Sequence, residues 1–122
     1  MPELSERSAH GHEVHVHDGF SRIGLALADP IRRRVLLRLL DGPRRPSELA
    51  DEIGTSRSNL SNHLACLRGC GLITAARAGR QVNYQLASAR LDDALRSLTE
   101  IAAHLAGCDA QQPTNSQRLE SP

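Results

Sequence analysis

The sequence contains almost no aromatic residues and no lysine. It has one Phe, one Tyr and no Trp, and its fifteen basic residues are all arginines. A core without aromatic rings has to be built from Leu, Ile, Val and Ala, and this composition favours helices over an extensive sheet. The 122 residues are enough for one small domain with a modest core.

Long hydrophobic runs are missing as well. No stretch of about 18 apolar residues occurs, so the sequence predicts no membrane-spanning helix. The first twenty residues include Glu3, Glu6 and Glu13 and have no apolar segment, so we expect no secretory signal and a cytoplasmic protein. The three cysteines are then kept reduced, and their thiols are available as metal ligands.

The net charge of +1 conceals an uneven distribution of charge. Residues 21–100 contain thirteen arginines and only eight acidic residues, and acidic residues outside this range lower the total. A basic central region with less basic ends suits a polyanionic partner such as nucleic acid, although a mixed solvated surface would show the same counts.

Residues 20–41 predict two helices in succession. The first runs from about Phe20 to Ala28. The second has Asp29 as its N-cap, Pro30 at its first position and Gly42 after its end. Apolar residues of this second helix recur at helical spacing and form a stripe for the core: Ile31, Val35, Leu36, Leu39 and Leu40.

Residues 46–69 predict a helix-turn-helix motif. A short helix opens at about Ser47 and ends at Gly54, which permits a sharp turn. Thr55 or Ser56 then caps a longer helix that extends to about Gly69 and begins with polar residues. The buried stripe of this longer helix is predicted to be Leu60, Leu64 and Leu67.

Two further elements follow the motif. Leu72, Ile73 and Thr74 begin one strand and a turn follows at Ala78-Gly79. Apolar residues then alternate along the next strand at Val82, Tyr84 and Leu86, which predicts a β-hairpin, or wing. A long helix then runs from Ser88 to about Ala106, and its apolar residues recur at steps of four and three, the pattern of a seam between two helices. We expect this seam to be a dimer interface; packing within the same chain is the alternative.

These elements predict three regions of the chain. Residues 1–18 form a flexible His-rich arm, residues 19–106 a winged helix-turn-helix domain for DNA binding and dimerisation, and residues 107–122 a polar tail that carries Cys108. The predicted fold class is mainly α with a β-hairpin wing, in the order α-α-α-α-β-β-α, and the molecule is expected to be dimeric.

Polar residues at the start of the second helix of the motif are the candidates for DNA contact. Such a helix enters the major groove with its N-terminal part, and we expect Arg57 to read a guanine edge and Asn59 or Asn62 an adenine edge. In the wing, arginines and a glutamine would reach the DNA backbone or the minor groove. The full candidate set is Ser56, Arg57, Ser58, Asn59, Ser61, Asn62, His63, Arg77, Arg80 and Gln81.

Cys66 and Cys70 lie four residues apart near the end of the same helix. Residues at this spacing lie one turn apart on one face, so both sulfurs can reach one ion. The alternative is that both cysteines are small buried hydrophobic residues. Metal binding would displace protons from the thiols, so the metal affinity is expected to rise with pH.

Three stretches resemble the ArsR/SmtB family of metal-responsive winged-helix repressors: "LADPIRRRVLLRLLDGP", "SELADEIGTSRSNLSNHLACLRGCGLI" and "GRQVNYQL". The resemblance covers roughly residues 20–106, and "SNHLACLRGCGL" is most similar to the members that sense cadmium and lead. It implies a dimer that binds double-stranded operator DNA without metal and releases it when metal binds.

The resemblance also implies a third metal ligand. Cadmium and lead sensors of the family use two thiolates of the DNA-reading helix and one C-terminal thiolate of the partner subunit, which here corresponds to Cys108. Whether Cys108 acts within one chain or across the dimer stays open. Three thiolates favour soft ions, so Cd²⁺ or Pb²⁺ is the expected effector, with Zn²⁺ or As(III) as alternatives. Of the last-helix positions that bind zinc, cobalt or nickel in other members, only His104 could coordinate a metal here.

Four histidines near the N-terminus are a further candidate for metal binding. His10, His12, His15 and His17 could serve as accessory ligands, or they could simply be solvated side chains. The competing functions are a repressor of the same fold that responds to thiol oxidation or to As(III), and a metal-buffering protein. An enzyme is not expected, because no phosphate-binding loop and no set of nucleophile, base and acid is present.

Overall fold

The computed structural model describes the backbone of residues 2–111 and the side chains of residues 13–107. Five helices and one hairpin follow each other in the predicted order, and a short 3₁₀ turn, Leu39–Asp41, follows the second helix. The elements are α1 (Pro2–Ala28), α2 (Pro30–Arg38), α3 (Pro46–Ile53), α4 (Arg57–Gly69), β1 (Ile73–Ala78), β2 (Gln81–Leu86) and α5 (Ala89–Gln111). None of the described helices is both long enough and apolar enough to cross a membrane.

Helix α1 is much longer than the sequence pattern predicts. It begins at Pro2 instead of near Phe20 and includes the His-rich segment. No proline follows Pro2 within the helix, and an i, i+4 ion pair between Asp18 and Arg22 (3.2 Å) supports it. The segment was expected to be irregular because its apolar residues have no helical period. The mobility of residues 1–18 stays a prediction.

Helix α2 begins as its sequence predicts. The Oδ1 atom of Asp29 accepts hydrogen bonds from the backbone N–H groups of Ile31 (2.9 Å) and Arg32 (3.0 Å), and Pro30 occupies the first position. The hydrogen bond from the Arg32 N–H, followed by that from Ile31, holds the pKa of Asp29 below its ordinary value. This cap fixes the residue at which α2 begins.

Helix α3 begins beside Ser47, as the sequence predicts, with Pro46 at its first position and Arg45 before it. Proline is favoured there because its missing N–H is not needed. The carboxylate of Glu48 accepts a hydrogen bond from the Arg45 N–H (3.0 Å), and this bond lowers the pKa of Glu48. The helix ends at Gly54, whose φ of 79° lies in the left-handed region, so the predicted turn is confirmed.

Helix α4 begins after Ser56, whose hydroxyl accepts a hydrogen bond from the Asn59 N–H at 3.1 Å. The predicted stripe of three leucines is buried: Leu60, Leu64 and Leu67. These residues join a core that includes Val35 and Leu36 of α2 and Leu49 of α3. The motif is therefore held by leucine packing, which presents the opposite face of α4 to solvent.

The hairpin pairs β1 with β2 in antiparallel register, with Ile73 opposite Leu86 and Ala78 opposite Gln81. Gly79, with a φ of 68°, lies in the turn. A bridge within β2 joins Tyr84 to Arg44 through two backbone hydrogen bonds of 3.0 and 2.8 Å. The wing is thus attached to the segment that leads into α3.

Helix α5 belongs to a second compact unit that begins at Ser88, whereas the described residues up to Ala87 form the first. The Ser88 hydroxyl accepts a hydrogen bond from the Leu91 N–H at 3.1 Å. The helix continues beyond the predicted end at Ala106 to Gln111, because Gly107 alone does not end it and the next proline is Pro113. The backbone of Cys108 is therefore helical and does not begin a tail.

Candidate nucleic-acid interface and metal centre

The N-terminal half of α4 exposes a row of polar side chains. Arg57, Ser58, Asn59, Ser61 and Asn62 are all exposed, whereas the leucines of the same helix are buried. The amide of Asn59 donates a hydrogen bond to the Thr55 hydroxyl at 2.9 Å, which orients the side chain. The hydroxyl of Ser56 is already used as the helix cap. This row is a surface on which short polar groups and one arginine can meet base edges.

The wing places its basic residues at its tip. Arg77, Arg80 and Gln81 are exposed and lie around the turn at Gly79. A two-stranded ribbon can carry such residues away from the protein body toward a phosphate backbone or a minor groove.

An open cavity of about 270 Å³ connects α3, α4 and the wing. It is lined by Arg45, Pro46, Ser47, Arg57, Gln81 and Val82. Arg45 and Ser47 are absent from the candidates predicted from sequence, because they precede the DNA-reading helix. The sequence did contain an indication of these two residues: an arginine and a serine flank Pro46, and proline is favoured at the start of a helix.

His63 differs from the other candidates on α4. Its side chain is 15% exposed and lies against the start of α2. The Nε of Arg32 donates a hydrogen bond to its Nδ1 at 3.1 Å, and Oδ1 of Asp29 is 3.9 Å from the same atom. One face of its ring is therefore occupied by α2, although its position in the sequence suggests a group directed at DNA.

Cys66 and Cys70 are free, half-buried thiols at the C-terminal end of α4. The Cys70 N–H donates a hydrogen bond to the Cys66 carbonyl at 3.0 Å, so one closed helical turn separates them. Cys70 is the C-cap, and Gly71, with a φ of 79°, turns the chain toward β1. The predicted placement of two thiols on one face at the end of this helix is supported by this geometry.

The other predicted ligands do not join this pair within the described side chains. Among residues 13–107, no three His, Cys, Asp or Glu side chains lie together in a group that could hold a metal ion. His15 and His17 are exposed on α1, and His104 is exposed on α5. The side chains of His10, His12 and Cys108 lie outside the described part of the chain.

A helix-turn-helix whose second helix exposes polar residues beside a basic hairpin defines a winged helix DNA-binding protein. Residues 29–75 match the family described as the bacterial regulatory protein ArsR family. Together with the relatives below, this match shows that the chain belongs to the ArsR family of transcriptional regulators. The resemblance seen in the sequence is confirmed, and so is the expectation that the chain is not an enzyme.

The chain is similar to transcriptional regulators from mycobacteria. It is 48% identical over 101 residues to the HTH-type transcriptional regulator CmtR of Mycobacterium tuberculosis, covering 83% of each chain. Its fold is similar to the solution structure of the cadmium metal-sensor CmtR of that organism, with a TM-score of 0.60 and 54% identity over 67% of this chain and 85% of the other.

A second solved structure is similar over a larger share of the fold. This homodimeric winged helix-turn-helix domain from Mycobacterium bovis has a TM-score of 0.71 and 28% identity, and the match covers 76% of this chain and 87% of the other. The predicted fold class, mainly α with a β-hairpin wing, is therefore confirmed.

Proposed function

We propose that the chain is a repressor that binds operator DNA as a homodimer and releases it when a soft metal ion binds cysteine thiolates. The observation that carries this proposal is the position of Cys66 and Cys70 on α4, the helix that also presents the polar row. A ligand bound at one end of this helix can change the pose of the other end.

The donor set fits a soft metal ion. Cys66 and Cys70 supply two sulfurs from one turn of α4, and Cys108 is the proposed third ligand, from the same chain or from the second subunit. Thiolates prefer soft or borderline ions, so Cd²⁺ or Pb²⁺ is the proposed effector, ahead of Zn²⁺ and As(III). The similar regulator CmtR is described as a cadmium sensor.

DNA would be held at three places on the first unit. The polar row of α4 reads base edges in the major groove, and Arg77, Arg80 and Gln81 hold the backbone or the minor groove from the wing. The cavity suits a phosphate, because Arg45 and Arg57 line it beside the start of α3; the Nε of Arg45 also pairs with Oε1 of Glu48 at 3.1 Å. Affinity for DNA should accordingly fall steeply with salt.

Dimerisation is supported by apolar side chains that are exposed to water in the single chain. On α5, Leu98, Ile101 and Leu105 are 45%, 55% and 58% exposed, at positions that share one helix face. On α1, Phe20 and Leu25 are each 66% exposed. Exposed apolar patches of this kind mark interaction sites, and the similar M. bovis domain is a homodimer.

The proposal is tested by fluorescence anisotropy with a labelled duplex from the region upstream of the chain's own gene. We expect Cd²⁺ or Pb²⁺ to weaken binding of the wild-type protein by about 5- to 150-fold, the usual range of allosteric coupling. Cys66→Ser and Cys70→Ser should bind the duplex normally without metal and lose this response. Ser58→Ala is the control, because it should weaken DNA binding and keep the response to metal. Release that persists without both thiols would overturn the proposal.

A repressor that responds to thiol oxidation or to As(III) is the second candidate, because Cys66 and Cys70 are both reduced and one turn apart. Peroxide added without metal should then release the duplex, and a reductant should restore binding. As(III) should do the same in the absence of an oxidant if it is the effector.

A further inference from the structure

Three polar side chains connect the start of α2 to the middle of α4. Asp29 is fixed by two backbone N–H groups of α2, and Arg32 and His63 complete the group through the 3.1 Å hydrogen bond and the 3.9 Å approach to Asp29. The side chains of His63 and Asp29 are 15% and 33% exposed, so water has limited access to the group.

The chemistry of the donor determines the direction of the hydrogen bond between Arg32 and His63. A guanidinium can only donate hydrogen bonds, so Nδ1 of His63 is the acceptor in this contact. Arg32 is held at the first turn of α2, beside the capped Asp29. His63 therefore accepts a directional hydrogen bond from a rigid part of the neighbouring helix.

Directional contacts are scarce where α4 packs on the core. Leu60, Leu64 and Leu67 are buried, and apolar packing resists separation of the helices more than small rotations about the helix axis. His63 follows Asn62 directly and lies one turn after Asn59, so a rotation of α4 moves both asparagine side chains relative to a base edge. One hydrogen bond at this position selects one rotational setting of the helix.

We propose that Arg32 and His63 form a clamp that positions α4 for DNA, and that His63 is a positioning residue instead of one that contacts a base. The proposal rests on the DNA-binding role of α4. Without the clamp, α4 samples further orientations. The apparent affinity for DNA is then the intrinsic affinity multiplied by the fraction of molecules in which α4 has the binding-competent orientation.

The test uses metal-free full-length protein and the duplex described above. His63→Leu, which keeps a side chain of similar size but removes the acceptor, should weaken binding by about threefold to tenfold, the size expected for one hydrogen bond. His63→Asn, which retains an acceptor close to the position of Nδ1, should restore most of the affinity. Arg32→Met should weaken binding to the same extent, and the double variant Arg32→Met/His63→Leu should be no weaker than either single variant.

Arg34→Met is the matched control, because Arg34 lies exposed on the same helix and its loss changes the net charge equally. The slope of log affinity against log salt should be unchanged in Arg32→Met, since a clamp residue neutralises no phosphate. A slope smaller by about 1, additive effects in the double variant, or no rescue by His63→Asn would overturn the clamp. If the wild-type protein does not bind the duplex, the proposed function fails. If it binds and the variants give one of the contrary results, only the clamp fails, so the two failures are distinguishable.

Discussion

At the residue scale, Asp29 shows how local chemistry fixes a structural element. Its carboxylate accepts two backbone hydrogen bonds that no other group of α2 could satisfy, and the sequence Asp-Pro predicts this cap without any tertiary information. The pattern does not predict that Arg32 and His63 lie beside it, because periodicity identifies the face of a helix and not the partner of a side chain. His63 was therefore grouped with residues that face DNA.

Acid stability should depend on this cap. The pKa of Asp29 is lowered below 3.8 in the folded protein, mainly by the hydrogen bond from the Arg32 N–H, so the unfolded chain takes up the proton more readily. The stabilisation is complete above about pH 4 and is lost as the pH falls through the lowered pKa. Asp29→Asn should therefore be less stable than wild type at about pH 6, and the difference should shrink at about pH 3 in urea unfolding.

The control for this prediction is Asp41→Asn, since Asp41 is an exposed carboxylate of the 3₁₀ turn. The free energy of unfolding of Asp41→Asn should differ from that of wild type by less than that of Asp29→Asn does, at both pH values. A difference between Asp29→Asn and wild type that stays constant with pH would contradict the prediction.

At the element scale, interiors and turns of helices were predicted better than the outer ends of the chain. Gly54 and the leucine stripe of α4 follow from local rules of turn conformation and periodicity. The start of α1 and the end of α5 did not follow, because the residues near these two ends are mostly polar and have no sustained helical period. The role of Arg45 was missed because a cavity depends on three elements that are separated in sequence.

The leucine stripe of α4 should dominate the stability of the helix-turn-helix motif. Leu67 is fully buried, at 0% exposure, so Leu67→Ala removes apolar contacts and leaves a cavity. We expect a loss of about 2–5 kcal/mol in the free energy of unfolding, measured by urea denaturation followed by circular dichroism. Leu37→Ala, at a position 37% exposed on α2, is the control and should cost about 0.5 kcal/mol. Equal losses of unfolding free energy in the two variants would show that the leucine stripe does not dominate the stability of the motif.

At the scale of the whole molecule, the proposed dimer depends on the exposed apolar face of α5. The periodicity of this helix predicts a seam, and the structure shows which residues remain uncovered: Leu98, Ile101 and Leu105, while Leu95 is buried. A sequence pattern alone cannot separate packing within one chain from packing between two. The exposure of these side chains favours a second copy as the partner of this face.

A charge on this face should prevent dimerisation. Ile101→Glu would place a carboxylate in the proposed interface, and we expect the dimer to weaken by about tenfold or more in sedimentation velocity, with a matching loss of DNA affinity. Ala103→Glu adds the same charge at an exposed position on the other side of α5 and should leave the dimer intact. If Ile101→Glu forms dimers as strong as those of wild type, the dimer interface does not include this face.

The bridge between Arg44 and Tyr84 has a consequence for the kind of DNA that the protein prefers. It attaches the wing to the residues that lead into α3, and we expect this attachment to restrict the spacing between the wing-tip arginines and Arg45 of the cavity. Two cationic points at a restricted distance match only certain groove widths, and groove width varies with the stiffness of the base steps. Selectivity should therefore include the shape of the duplex at positions where no side chain reaches a base.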